Sequence, residues 1–399
     1  MLQLRSHSAY PYIIRILLVG VVIVLCFQVT QVWRTMEYGA PGTTDFIAFW
    51  SAGQLLRHGE NPHDVEQLLR LETRLGRADP LPLVMVNPTW MLVWLFPLFL
   101  VDFHTAALCW LGTNLAIVLA ASSLLWLIFT PHQTKRGFAI AWIASIAFAP
   151  VLFTLRMGQT TGLALLGIVG FLFFSRKELD LCAGAFLALA TAKPHVVYLM
   201  WMVVIWWTLV ERRWKVLVGC LGVLTVSGVA LTAMRPRWIA DYRMALNDLP
   251  LYWATPTIGG VLRWSLGIQT SQVQFVAPAL TGLLVLSYLL RTRPVIAWKQ
   301  AIGPILLLSI ATAAYGWTYD QIVLLVPYLQ MVAWLWTEAD YSKADRVVVI
   351  GGLLLYSGVL IVQNLLKVSM LFDFWTPWVL AGTYAYAWLR REPISASRS

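Results

Sequence analysis

The chain has 399 residues, 59% of them hydrophobic and only 12% charged, with a mean hydropathy of +0.71. Soluble domains carry about 25% charged residues, so this composition excludes a soluble enzyme, a disordered chain and a nucleic-acid binder. The net charge of +10 is spread between apolar runs instead of gathered into one stripe, and the chain reads as an all-α polytopic membrane protein forming a single integral membrane domain over 1–399.

Residues 12–32 form an apolar run of about twenty residues behind Arg5 and Arg15. It is too long for the core of a signal peptide and no small-x-small site follows it, so it reads as the first membrane helix. Residues 33–82 are the one sizeable stretch with soluble character. Within it Asp45 precedes a segment, Phe46 to Arg57, amphipathic enough to lie in the bilayer interface with Trp50 at headgroup level. Gly59 ends that helix, Asn61-Pro62-His63 turns, and Asp64 caps a second short helix from Val65 to Leu75. Asp45 fits a helix cap equally well.

Further apolar runs cover about 84–101, 104–130, 138–155, 160–174, 180–192, 194–210, 216–234, 272–290, 295–314, 321–337, 346–366 and 374–389. The expected count is 12 or 13 transmembrane helices. Several runs are short for a hydrocarbon layer of about 30 Å, which suggests a thinned protein with cavities. Six basic clusters set the sidedness: Lys135-Arg136, Arg176-Lys177, Arg212-Arg213 with Lys215, Arg291 with Arg293, Lys343 with Arg346, and Arg390-Arg391. Placed inside, they put 33–82, 156–160, 193–195, 235–263 and 315–320 outside, in a cell inner (plasma) membrane. One conflict stands: 82 outside and 135 inside require an odd number of crossings, yet two runs lie between. Either 84–101 is re-entrant or Lys135-Arg136 departs from the rule.

Charges at membrane depth are costly, at least ~2.5–3.5 kcal/mol each, and are usually kept for a function. Lys193-Pro194-His195 interrupts a long apolar run, and the proline divides it into two half-length helices meeting at the outer face. Lys193 then offers a compact cation to a phosphate, or snorkels to the headgroups. Arg156-Met157-Gly158-Gln159-Thr160 brings a second cation to that face. Tyr315-Gly316-Trp317-Thr318-Tyr319-Asp320 sets aromatics beside a carboxylate, though Tyr and Trp also populate interfacial belts. Cations, aromatics and carboxylate together suit a lipid-borne anion. No nucleotide-binding motif is present, and the four cysteines lie inside apolar runs without ligand-like spacing.

These residues carry a resemblance. The order Asp45-Phe46, Phe49-Trp50-Ser51-Ala52-Gly53, Gly59-Glu60-Asn61-Pro62, Asn87-Pro88-Thr89, Phe96-Pro97, Gly158-Gln159, Lys193-Pro194-His195, Tyr319-Asp320 and Leu324-Leu325-Val326-Pro327 resembles glycosyltransferase family 87, over roughly residues 40–330. That family lies among the type C glycosyltransferases, multi-spanning enzymes using polyprenyl-phosphate sugars. The resemblance implies an α-(1→2)-mannosyltransferase-like enzyme. It would move a hexose, mannose or a related sugar, from a polyprenyl-phosphate donor to a lipid-linked or glycan acceptor outside the inner membrane. It also implies that Asp45 is the catalytic base. Two departures stand out: the usual Tyr-Pro-Pro reads Val86-Asn87-Pro88-Thr89, and the usual Tyr after Asn-Pro is His63.

The mechanism expected is an inverting displacement with Asp45 as general base. Lys193, Arg156 and His195 are the candidate donor-phosphate ligands. Gln159, Trp50, Trp317, Tyr319 and Asp320 are the candidate substrate contacts. No cofactor, no obligate metal and no nucleic-acid partner is expected; the partners are donor, acceptor and membrane lipids. The competing reading is a transporter or flippase for a lipid-linked sugar, which would more often show paired repeats with broken helices; no convincing repeat is seen.

Overall fold

The computed structural model describes residues 45–247, 253, 255–267, 271–337 and 341–391, with Val19, Gly20, Val22, Cys26 and Thr30 as isolated helical positions. The rest of the expected first membrane helix over 12–32, and 33–44 of the outer loop, lie outside the described residues. The described chain is helical, with no strand among these residues.

Helix α1 (Phe46–Arg57) departs from the interfacial expectation. Nine of its twelve residues are buried, because Phe46, Ile47, Ala48, Phe49, Leu55 and Leu56 leave no wide polar face. It packs so closely on the Phe96–Leu100 turn that a Cβ at Gly53 would lie 2.4 Å from the Phe99 ring. Helix α2 (Val65–Arg74) is the amphipathic one of the pair, started by Asp64, whose carboxylate accepts from the Gln67 amide at 3.0 Å.

The run at 84–101 is not a continuous helix. Residues 83–88 are non-helical, with the Leu83 amide donating to Glu72 at 2.9 Å. Then comes α3 (Met91–Leu95), which tightens into the 3-10 turn Phe96–Leu100 at Pro97. These ten helical residues reach about half the hydrocarbon thickness. Helix α4 (Phe103–Phe129), 27 residues long and apolar, is long and apolar enough to cross a membrane. One helix of spanning length between 82 and 135 makes an odd number, the count that the re-entrant alternative requires.

Helices α5 (Lys135–Ile146) and α6 (Ala149–Met157) together have the length and hydropathy of one span but are bent by 64°, the geometry of a broken span or of a re-entrant loop, with Pro150 in the first turn of α6. Then follow α7 (Thr161–Arg176), α8 (Asp180–Leu189) with its 3-10 extension Ala190–Ala192, α9 (Tyr198–Val210) and α10 (Trp214–Met234). The next pieces are the short α11 (Trp238–Asn247) and α12 (Ile258–Ser265), then α13 (Val276–Thr292) and α14 (Trp298–Thr312). A 3-10 segment (Thr318–Leu324) leads into α15 (Leu325–Thr337), followed by α16 (Lys343–Leu365) and α17 (Thr376–Arg390). Four helices among the described residues are long and apolar enough to cross a membrane, five with the bent pair. The all-helical polytopic architecture is as expected, and not all of its apolar runs are single continuous helices. Prolines, tight turns and the Lys193-Pro194 break cut several into pieces of 10–17 residues.

Two apolar clusters hold the fold. The larger joins α4 to α9 with α14 to α17; the smaller gathers α1, α2, α3 and the start of α4. Between them meet the start of α1, residues 83–88, the turn after α6, the Lys193 break and the segment after α14.

Candidate active site

Asp45 stands immediately before α1, yet its side chain makes no capping bond. Instead Oδ2 accepts from Gln159 Nε2 at 2.6 Å. Gln159 is aimed by the turn that ends α6. Gly158 adopts a left-handed conformation (φ 64°), and a Cβ there would lie 2.7 Å from that of Phe46, so both backbone and space require glycine. Helix α4 fixes the same turn from the other side: Trp110 Nε1 donates to the Gly158 carbonyl at 2.8 Å and Asn114 Nδ2 to that of Gln159 at 3.2 Å. Burial pushes the Asp45 carboxyl above its ordinary range, opposed by the Gln159 hydrogen bond and the Lys193 charge.

Lys193 follows the 3-10 turn Ala190–Ala192, where Pro194 prevents the helix from continuing. Its Nζ pairs with Asp320 Oδ1 at 2.7 Å. Asp320 is wholly buried and also accepts from Thr161 Oγ1 at 2.7 Å and from the Trp317 amide at 2.9 Å. Three donors satisfy a buried carboxylate that would otherwise be costly. The Lys193 ammonium also lies 4.8 Å from the Tyr319 ring centroid and 5.9 Å from that of Trp317, and those two rings stack at 6.0 Å.

These groups line a cavity of about 430 Å³, within the usual range for ligand sites. Asp45, Gln159, Lys193, His195, Trp317 and Tyr319 all line it. Asp320 does not; it sits behind Lys193 and anchors it. Arg156 is not among the lining residues, and its Nη1 donates to Asn364 Oδ1 at 3.2 Å. Trp50 is likewise outside the lining: its Nε1 donates to the Val101 carbonyl at 3.3 Å and its ring meets Phe103 edge-on. Inside the cavity wall, His195 Nε2 and Gln159 Oε1 are buried polar atoms with no hydrogen-bond partner among the described residues.

Much of the wall was not singled out in the sequence. Leu83 to Pro88 form one side, and Tyr242, Trp253 and Phe275 another. Asn87 Nδ2 donates to the Ala192 carbonyl at 3.0 Å, tying that side to the residue before Lys193. No group of three or more His, Cys, Asp and Glu side chains is placed to hold a metal ion among the described residues.

The arrangement is a partly apolar cleft with one carboxylate whose pKa is raised, one lysine held by a buried partner, and a stacked aromatic pair. The sequence profile of glycosyltransferase family 87 matches residues 86–309, more than half of the chain. No curated protein and no solved structure matches it.

Proposed function

The chain belongs to glycosyltransferase family 87 and is a membrane glycosyltransferase, and on that premise we propose that it transfers a hexose, mannose on the reading of its motifs, from a polyprenyl-phosphate donor to a lipid-linked or glycan acceptor, with Asp45 as general base. The observation that carries this reading is the Asp45 carboxylate. It lines the cavity, is turned from its own helix by Gln159, and faces a site that also contains Lys193.

In the proposed reaction an acceptor hydroxyl loses its proton to Asp45 as its oxygen attacks the sugar C1. The bond from C1 to the donor phosphate breaks, and the polyprenyl phosphate leaves with the electron pair; configuration at C1 inverts. An ammonium has three N–H donors, and Lys193 uses one on Asp320. We assign the remaining capacity to the departing phosphate, with His195 beside it. Trp317 and Tyr319 offer stacking faces to the sugar or the first isoprenoid units.

The outer-face assignment has support in the geometry. Segments 156–160, 193–195, 235–263 and 315–320, which the charge rule places outside, each contribute lining residues, as does Asp45 from the first outer loop. Incubating the purified, reconstituted protein with a radiolabelled polyprenyl-phosphate mannose and candidate acceptors tests the reading. Labelled glycan product supports it. Translocation of the lipid-linked sugar across vesicles without transfer would replace it with the transporter alternative.

A further inference from the structure

Residues 313–317, which lead the stacked rings of Trp317 and Tyr319 into the cavity, are non-helical. They lack the repeating backbone bonds that fix a helix, so other groups must hold them. Gln274 Nε2 donates to the Ala314 carbonyl at 3.3 Å, Thr154 Oγ1 donates to the Tyr319 carbonyl at 3.0 Å, and the Trp317 amide donates to Asp320 at 2.9 Å. Thr318, between the two stacked rings, is held from another element: its Oγ1 donates to Asp373 Oδ2.

Asp373 belongs to the 3-10 turn Met370–Trp375 between α16 and α17. The same turn reaches the cavity, since Met370 lines it. A second bridge runs beside the first. Thr376 Oγ1, 2.8 Å from the Asp373 carbonyl, lies 3.2 Å from Gln321 Oε1, which also accepts from the Tyr356 hydroxyl at 2.5 Å. Asp373 is 6% exposed, and no ion pair engages it among the described residues. Burial pushes its carboxyl up to about 6, with the Thr318 hydrogen bond pulling the other way. A buried carboxylate without a cation costs stability, so packing alone favours a neutral residue here. What the carboxylate adds is a strong, directional acceptor, and it is used on the residue between Trp317 and Tyr319.

We propose that Asp373 is a positioning residue for sugar transfer: through Thr318 it fixes the Trp317–Tyr319 pair in the place where the donor stacks. This rests on the assignment of those two rings to the donor. Asp373 is not among the cavity-lining residues and acts only through its neighbour. A stacking surface serves the bound donor and the transition state alike, so its displacement weakens donor binding and spares the chemical step. Lys193 is anchored separately by Asp320, so the phosphate contact stays in place when the rings shift.

The test is steady-state transfer from radiolabelled polyprenyl-phosphate mannose by the reconstituted full chain, with an acceptor that supports transfer. Asp373→Ala should raise the donor KM about five- to tenfold, the size of a lost aromatic contact, with kcat within about twofold of wild type. Asp373→Asn keeps an oxygen acceptor for Thr318 and should restore the wild-type KM. Because Asp373→Ala strands the Thr318 hydroxyl, a double variant, Asp373→Leu with Thr318→Val, replaces both partners by apolar groups. It should melt near the wild type and show the same raised KM. Unchanged KM in Asp373→Ala and in the double variant would overturn the proposal. So would a loss confined to kcat, or an Asp373→Asn variant as impaired as Asp373→Ala. A folded wild type that transfers no sugar from this donor would overturn the functional reading instead, and this proposal with it.

Discussion

Gln159 holds Asp45 by a 2.6 Å hydrogen bond across two elements distant in sequence. A residue in the capping position therefore has its carboxylate turned into a cavity. Asp64 shows the contrast: at the start of α2 it does cap, accepting from the Gln67 amide.

The two aspartates give a matched pair of substitutions. Asp45→Asn should lower sugar transfer by roughly 10²–10⁴-fold, because an amide cannot accept the proton, while the melting temperature barely moves. Asp64→Asn should leave transfer intact, since Asn caps as well as Asp. Activity of Asp45→Asn within a few-fold of wild type would disprove the assignment. Because burial raises the Asp45 carboxyl, the acid limb of the rate against pH should lie above the ordinary carboxylate range, and Asp45→Asn should abolish that limb.

Lys193 needs a paired substitution. Removing it alone strands the Asp320 carboxylate in the interior, a change that costs about 3–5 kcal/mol, so Lys193→Ala would confuse misfolding with lost binding. Lys193→Met combined with Asp320→Asn removes both charges. The double variant should melt near the wild type yet bind the polyprenyl-phosphate donor about tenfold to a hundredfold more weakly, as expected for a lost charge-assisted contact. Wild-type donor affinity in that variant would return Lys193 to a structural role.

Sidedness is open to impermeant thiol labelling in a background lacking the four native cysteines, three of which are exposed. Ser51 is buried and makes a poor probe, whereas Glu60 and Lys215 are both exposed. Glu60→Cys and Lys215→Cys should label from opposite sides of the membrane. Labelling of both from one side would invert or discard the charge-based frame.

Much of the site was legible because each motif supplied a charge or a proline where an apolar run should not have one. Asp45, Gln159, Lys193, Trp317 and Tyr319 indeed share one cavity. Phase around a helix was not legible. Ala48 and Phe49 lie three and four residues after Asp45 and share its face; Trp50, one step further round, turns to Phe103. Arg156 and Gln159 flank the left-handed Gly158, a reversal that sends one into the cavity and the other to Asn364. Tyr242, Trp253 and Phe275 offered no signal, since aromatics near a membrane surface are common whether or not they line a site. The breaks within the apolar runs were not legible for a related reason: apolar composition registers burial, not whether a run is continuous helix.

The two departures from the family pattern meet in space. His63 Nε2 lies 3.0 Å from Thr89 Oγ1, and the His63 ring packs against Tyr242 in the cavity wall. Burial lowers the His63 pKa from 6.5 to about 4. The folded state thus keeps His63 neutral where the unfolded chain would protonate it, so stability is full above about 6.5 and is lost as pH falls towards about 4. Melting temperatures of the wild type and His63→Gln, followed across that range, should diverge, with the wild type losing ground at low pH. Parallel curves would show that His63 is not the titrating group.

Helices α7, α9 and α14 contain 16, 13 and 15 residues, so each reaches only about 20–24 Å, against a bilayer core of about 30 Å. A surrounding membrane must therefore pucker inward here, or the protein must admit water to part of that depth. Either way, the proposed lipid-borne donor would have less vertical distance to climb to bring its phosphate to Lys193. Bilayer thickness itself becomes a variable of the enzyme: short-chain lipids relieve the mismatch around these helices and long-chain lipids deepen it.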